Sequence, residues 1–115
     1  MIGSLALVGS GEYLPAMASF EQSLIDDGIK NGKRAIYVQI PTAAGQESDD
    51  RLEYWKQLGK AQADRLGVDS IFLPIYTRED ANNPEYATLI HNCALIYMSG
   101  GDPHYLAETL MGTPL

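Results

Sequence analysis

The stretch Ala94-Leu95-Ile96-Tyr97-Met98-Ser99-Gly100-Gly101-Asp102-Pro103-His104 decides the fold. Five apolar and aromatic-rich residues run into Ser-Gly-Gly, after which Asp102 and Pro103 supply a helix N-cap and a first helical position. The pattern predicts a strand, a tight loop and a helix start. At the carboxyl end of a parallel strand such a loop exposes backbone N–H groups beside the positive end of a helix, where ligands of open α/β sheets bind. Two glycines let that backbone approach a bound oxyanion with no Cβ in the way. The chemistry expected of the loop is therefore amide donation to a negative oxygen, without a side-chain nucleophile. The competing reading, and the commoner role of an isolated Gly pair, is only to permit the turn.

The rest of the chain repeats the pattern. Ser4-Leu5-Ala6-Leu7-Val8 is a nearly continuous apolar run that ends in Gly9-Ser10-Gly11-Glu12, which predicts a buried strand and a glycine loop. A helix is expected from about Pro15, with Met17, Phe20 and Leu24 at helical spacing and Gly28 as its C-cap. Ala35–Ile40 reads as a second strand, halted by Pro41-Thr42-Ala43-Ala44-Gly45. Glu47-Ser48-Asp49-Asp50 places capping and acidic groups ahead of Leu52, Trp55, Leu58, Ala63 and Leu66, the apolar face of a helix that Gly67 stops. Ser70–Ile75 is a third strand, with Pro74 at its end or on a sheet edge, and Tyr76–Ala81 reads as a polar loop. Asn83 and Pro84 open a short helix to about Asn92; the last helix runs from Pro103 to about Met111 and stops at Gly112. Strand then helix, four times over, predicts one α/β domain across residues 1–115: a parallel sheet with right-handed crossovers and helices on both faces.

Composition narrows the functions. At 115 residues the chain can bury a core but is small for a complete two-faced α/β enzyme. An apolar fraction of 45% with 20% charged residues argues against disorder, and no apolar run approaches a membrane span. The N-terminus lacks a basic leader region, so a cytoplasmic location is expected. A net charge of −7 repels phosphate backbones, which argues against nucleic-acid partners. Cys93 is the one cysteine, so neither a disulfide framework nor a cysteine zinc cluster is expected, and its strand position predicts a buried, inert thiol. His91 and His104 belong to no recognisable ligand spacing, and no metal is expected. Gly9-Ser10-Gly11 falls short of a dinucleotide fingerprint, because Leu14 stands where the third glycine is required and Pro41-Thr42 where an acidic residue should hold the ribose. There is no G-x-x-x-x-G-K-[ST] either, so no cofactor is expected. Glu12 reads either as a contact for an amino or guanidinium group or as a solvated carboxylate near a helix start, and Asp80 either as a loop cap or as a substrate contact.

Five landmarks in order carry a family resemblance: Leu5–Glu12, Ile40-Pro41-Thr42-Ala43, Arg78-Glu79-Asp80-Ala81, Ile96–Asp102 and Leu110–Leu115. Together they resemble the dipeptidase E and cyanophycinase family of serine peptidases, within the class I glutamine amidotransferase-like superfamily. The resemblance implies a three-layer flavodoxin-like sandwich and hydrolysis of peptide bonds at aspartyl residues, with a peptide substrate and no metal. It implies an oxyanion hole to which the Gly100-Gly101-Asp102 backbone contributes, and substrate contacts at Gly11, Glu12 and Thr42. The nucleophile elbow of such enzymes, G-x-S-x-G, does not occur in these 115 residues, and neither Ser10 nor Ser99 is flanked in that register. The chain is therefore expected to be the N-terminal part of a larger serine peptidase-like domain, its sheet incomplete and catalytically inert alone. It would be covered by a missing C-terminal half or by homo-oligomerisation. The alternative is a non-catalytic flavodoxin-like module that binds a small anion or mediates assembly.

Overall fold

The structure, a computed structural model, describes residues 6–7 and 12–114. Three parallel strands form its sheet: β1 (Arg34–Ile40), β2 (Asp69–Phe72) and β3 (Cys93–Met98), in the order β2-β1-β3. Five helices accompany them: α1 (Ala18–Lys30), α2 (Asp49–Leu66), α3 (Arg78–Ala81), α4 (Pro84–Asn92) and α5 (Pro103–Leu110). Helices cover both faces, as the strand–helix alternation predicts. The first expected strand and the Gly9-Ser10-Gly11 loop lie almost wholly outside the described residues.

β1 is the central strand, and its alternation builds two cores. Val38 and Ile40 point into a cluster with Leu73, Ile75, Ala81 and Cys93, against which Tyr86 of α4 and Leu110 of α5 pack. Tyr37 points the other way, into a cluster with Tyr13, Ile25 of α1 and Ala63 of α2. Both faces of a central parallel strand are covered, so Tyr37 through Ile40 are all buried, apolar or not.

The local signals hold at most helix ends. Ser48 accepts from the Arg51 amide, Asn83 from Glu85, and the Asp102 carboxylate from both His104 and Tyr105. Gly67 (φ 70°) and Gly112 (φ 76°) take the left-handed turns that follow α2 and α5. Pro74 lies just past β2, whose pairing ends as expected of a residue without an N–H.

Three expectations are corrected. Gly28 does not cap α1, which continues to Lys30 and hands the left-handed position to Gly32 (φ 86°). Gly28 instead lets α1 lie close on β3: a Cβ there would sit 2.6 Å from the Ala94 carbonyl oxygen. That contact fixes the helix rotation, so the inward stripe is Glu21, Ile25 and Gly28, while Phe20 remains 44% exposed. The segment read as a polar loop contains the single turn α3, closed by a reciprocal capping box between Thr77 and Asp80.

Candidate functional site

The loops after the three strands meet at one end of the sheet. After β1 the chain makes a 3-10 turn (Thr42–Ala44), and this turn is fastened to both neighbours. The Thr42 hydroxyl donates to the Ile75 carbonyl at 2.7 Å, beyond β2, and Ala43 accepts from the Asp102 amide at 2.7 Å, beyond β3. The Tyr105 hydroxyl reaches back from α5 to the Tyr76 carbonyl, and Arg78 donates to the Glu108 carbonyl at 2.8 Å. The result is a braced platform at the carboxyl ends of the strands, where α/β folds bind ligands.

Gly101 is what lets the platform close. Its φ of 152° disfavours any side chain, and a Cβ would lie 2.2 Å from the Ala43 carbonyl oxygen. Gly100, exposed, faces Glu12, whose Oε1 lies 3.1 Å from the position a Gly100 Cβ would take. The N–H groups of Gly100 and Gly101 have no acceptor among the described residues. Asp102 differs: its amide is engaged by Ala43 and its carboxylate caps α5. Of the three amides expected to serve an oxyanion, two meet no acceptor among the described residues and the third braces the loop.

The other expected contacts separate in the same way. Glu12 is half-buried at the rim and lines, with Gly100, a cavity of about 670 Å³ beside β3 that includes Phe20, Leu24, Ile96 and Met98. Thr42, the other expected substrate contact, is fully buried, and its hydroxyl is engaged by the Ile75 carbonyl. Gly11 lies outside the described residues. Asp80 accepts from the Tyr76 and Thr77 amides, as a cap would. His91 and His104 are exposed, and among the described residues no group of three or more His, Cys, Asp or Glu could hold a metal ion. Cys93 is buried, which pushes its thiol pKa up and leaves a poor nucleophile. No helix of the described residues is long and apolar enough to cross a membrane.

Beneath the rim lies a polar network that sequence reading missed. The buried Glu21 accepts from the Tyr37 hydroxyl at 2.8 Å and from the Gln62 amide at 3.1 Å. Gln62 also reaches the Leu14 carbonyl at 3.1 Å, and Arg65 donates to Gln62 and to the Tyr13 carbonyl. Tyr13 lies tilted against Tyr97 at 4.6 Å, and Tyr97 stacks on Tyr37 at 6.0 Å. Burial raises all three phenol pKa values, that of Tyr97 to about 12, because a phenolate is poorly solvated there; Glu21 raises each further. The available signal was Glu21 itself, an acidic residue four positions before Ile25 on the stripe that turns inward. Ser99 Oγ is buried with no hydrogen bond among the described residues.

Comparison with known proteins bears on this site. A crystal structure of a peptidase from an acI-B1 actinobacterium superimposes on all of this chain, with a TM-score of 0.97 and 70% sequence identity. The chain is similar to a peptidase throughout. It spans 47% of that peptidase's length, so it corresponds to rather less than half of its neighbour. No protein-family pattern matches the chain, and no curated protein matches it in sequence.

Proposed function

We propose that this chain supplies the oxyanion-binding part of a serine-type peptidase of the dipeptidase E and cyanophycinase kind, acting on peptide bonds at aspartyl residues. The observation that carries the reading is 70% identity to a peptidase over the whole chain. Gly100 and Gly101 fit the role chemically. Two amides on a braced loop, without an acceptor among the described residues, can donate to the oxygen that becomes negative as a carbonyl is attacked. The nucleophilic serine and its histidine base would come from residues beyond these 115, in a chain of the neighbour's length.

The test compares the 115-residue chain with one extended to the neighbour's length, on Asp-X dipeptides and an Asp-Arg polymer. The extended protein should cleave and be silenced by a serine reagent, and the short chain should show no activity. Serine-reagent-sensitive cleavage by the homogeneous short chain would overturn the reading. A second reading, a module that works by assembly, is favoured by one observation. β3 pairs on one side only among the described residues, and Ile96 and Met98 on it are 40% and 54% exposed. Light scattering at high concentration should then find a dimer or larger; a strict monomer removes this reading.

A further inference from the structure

Tyr13 is the one described non-glycine residue with positive φ, at 62°, and it is an aromatic residue with 2% of its surface exposed. A bulky side chain in that region is strained and persists only where its surroundings hold it. Here they hold it from two sides. Arg65, 3.4 Å away, grips the Tyr13 carbonyl, and Gln62 grips the next one, that of Leu14. The ring meanwhile lies between Tyr97, at 4.6 Å, and Trp55, at 6.5 Å. The residue immediately before it is Glu12, whose carboxylate meets Gly100; its hydroxyl faces both Gln39 and Ser99, the latter next to Gly100.

We propose that Tyr13 is a positioning residue for the Gly100–Gly101 loop. Wedged in a left-handed turn between Tyr97 and Trp55, and clamped by Arg65 and Gln62, it fixes where the Glu12 carboxylate stands against Gly100. The strain serves a geometric end: a residue with negative φ at position 13 would send Glu12 in another direction from the same ring anchor. The functional meaning of this inference rests on reading the Gly100 and Gly101 amides as donors; its geometric content does not.

The experiment is a double-mutant cycle read by NMR on the 115-residue chain. Glu12→Gln should shift the Gly100 amide resonance in the wild-type background. In Tyr13→Asn, which tolerates the left-handed backbone but has no ring to wedge, that shift should fall by more than half. Tyr13→Phe keeps the wedge and should restore it. Should Tyr13→Asn fail to fold, Arg65→Met releases the Tyr13 carbonyl from the surface and should reduce the same shift. An undiminished shift in the folded Tyr13→Asn protein, or in Arg65→Met where that variant replaces it, overturns the proposal. So does loss of the shift in Tyr13→Phe as complete as in Tyr13→Asn. A separate titration of the wild type with acetate tests the donor reading alone. Movement of the Gly100 and Gly101 amides supports it, and their silence removes it while the cycle still decides the role of Tyr13.

Discussion

The two faces of β1 bury comparable side chains by opposite means. On one, Val38 and Ile40 meet Leu73, Ile75 and Ala81, a core of mainly aliphatic contacts in which the Cys93 thiol, donating to the Ile90 carbonyl, is the buried polar group. On the other, Tyr37 and Gln39 meet Tyr13, Glu21 and Gln62, so that burial there depends on particular hydrogen bonds. An aliphatic face is set by volume and accepts many solutions. A face threaded with hydrogen bonds is set by direction, because each unpaired donor or acceptor left in the interior costs about 1–3 kcal/mol. The directional face is also the one beneath Glu12 and Gly100. The difference suggests why: a rim that must hold one geometry is supported by interactions with one geometry.

Four measurements would break or sharpen that contrast. The largest effect is expected from Glu21→Leu, which strands the Tyr37 hydroxyl and the Gln62 amide; urea unfolding should show a loss of about 4 kcal/mol. A loss under about 1 kcal/mol would mean the network is incidental to that face. Next comes Gly28→Ala. Its Cβ would press on the Ala94 carbonyl from 2.6 Å, and the same titration should register a net loss of about 2 kcal/mol after the gain in helix propensity.

The third measurement uses pH. Tyr37 keeps its phenol proton in the folded state well past the ordinary value of 10.0, first through burial and then through Glu21, whereas the unfolded chain loses it there. The native state thus binds more protons than the unfolded one above pH 10, and stability must fall as pH rises. Unfolding titrations between pH 10 and 11.5 should give a slope to which each such tyrosine adds about 1.4 kcal/mol per pH unit, and Tyr37→Phe should remove one increment. The smallest effect is expected on the aliphatic face. Ile40→Val should lose about 1 kcal/mol, and a loss equal to that of Glu21→Leu would erase the distinction between the faces.

How far the chain could be read in advance follows from the range of each signal. The caps at Ser48, Asn83 and Asp102, the stops at Gly67 and Gly112, and the strand end before Pro74 all act within a turn of the residue concerned, and all were legible. The inward face of α1 was not, because hydrophobic spacing favoured Met17, Phe20 and Leu24, while close approach at Gly28 rotated Glu21 and Ile25 inward. The Gly-Gly loop was legible as a place, and the division of labour within it was not. That Asp102 donates to Ala43 is a fact about two loops 59 positions apart (102 − 43).

The sequence by itself determined the order of the three described strands and the four longer helices, their parallel arrangement and the place of the Gly-Gly loop, since periodicity and capping depend on neighbours along the chain. Tertiary structure alone decided which amide of that loop is engaged by Ala43, that the Thr42 hydroxyl bonds the Ile75 carbonyl, and that Tyr13 takes a left-handed backbone. Those outcomes are settled by which distant carbonyl or ring comes within reach, and no local pattern encodes that.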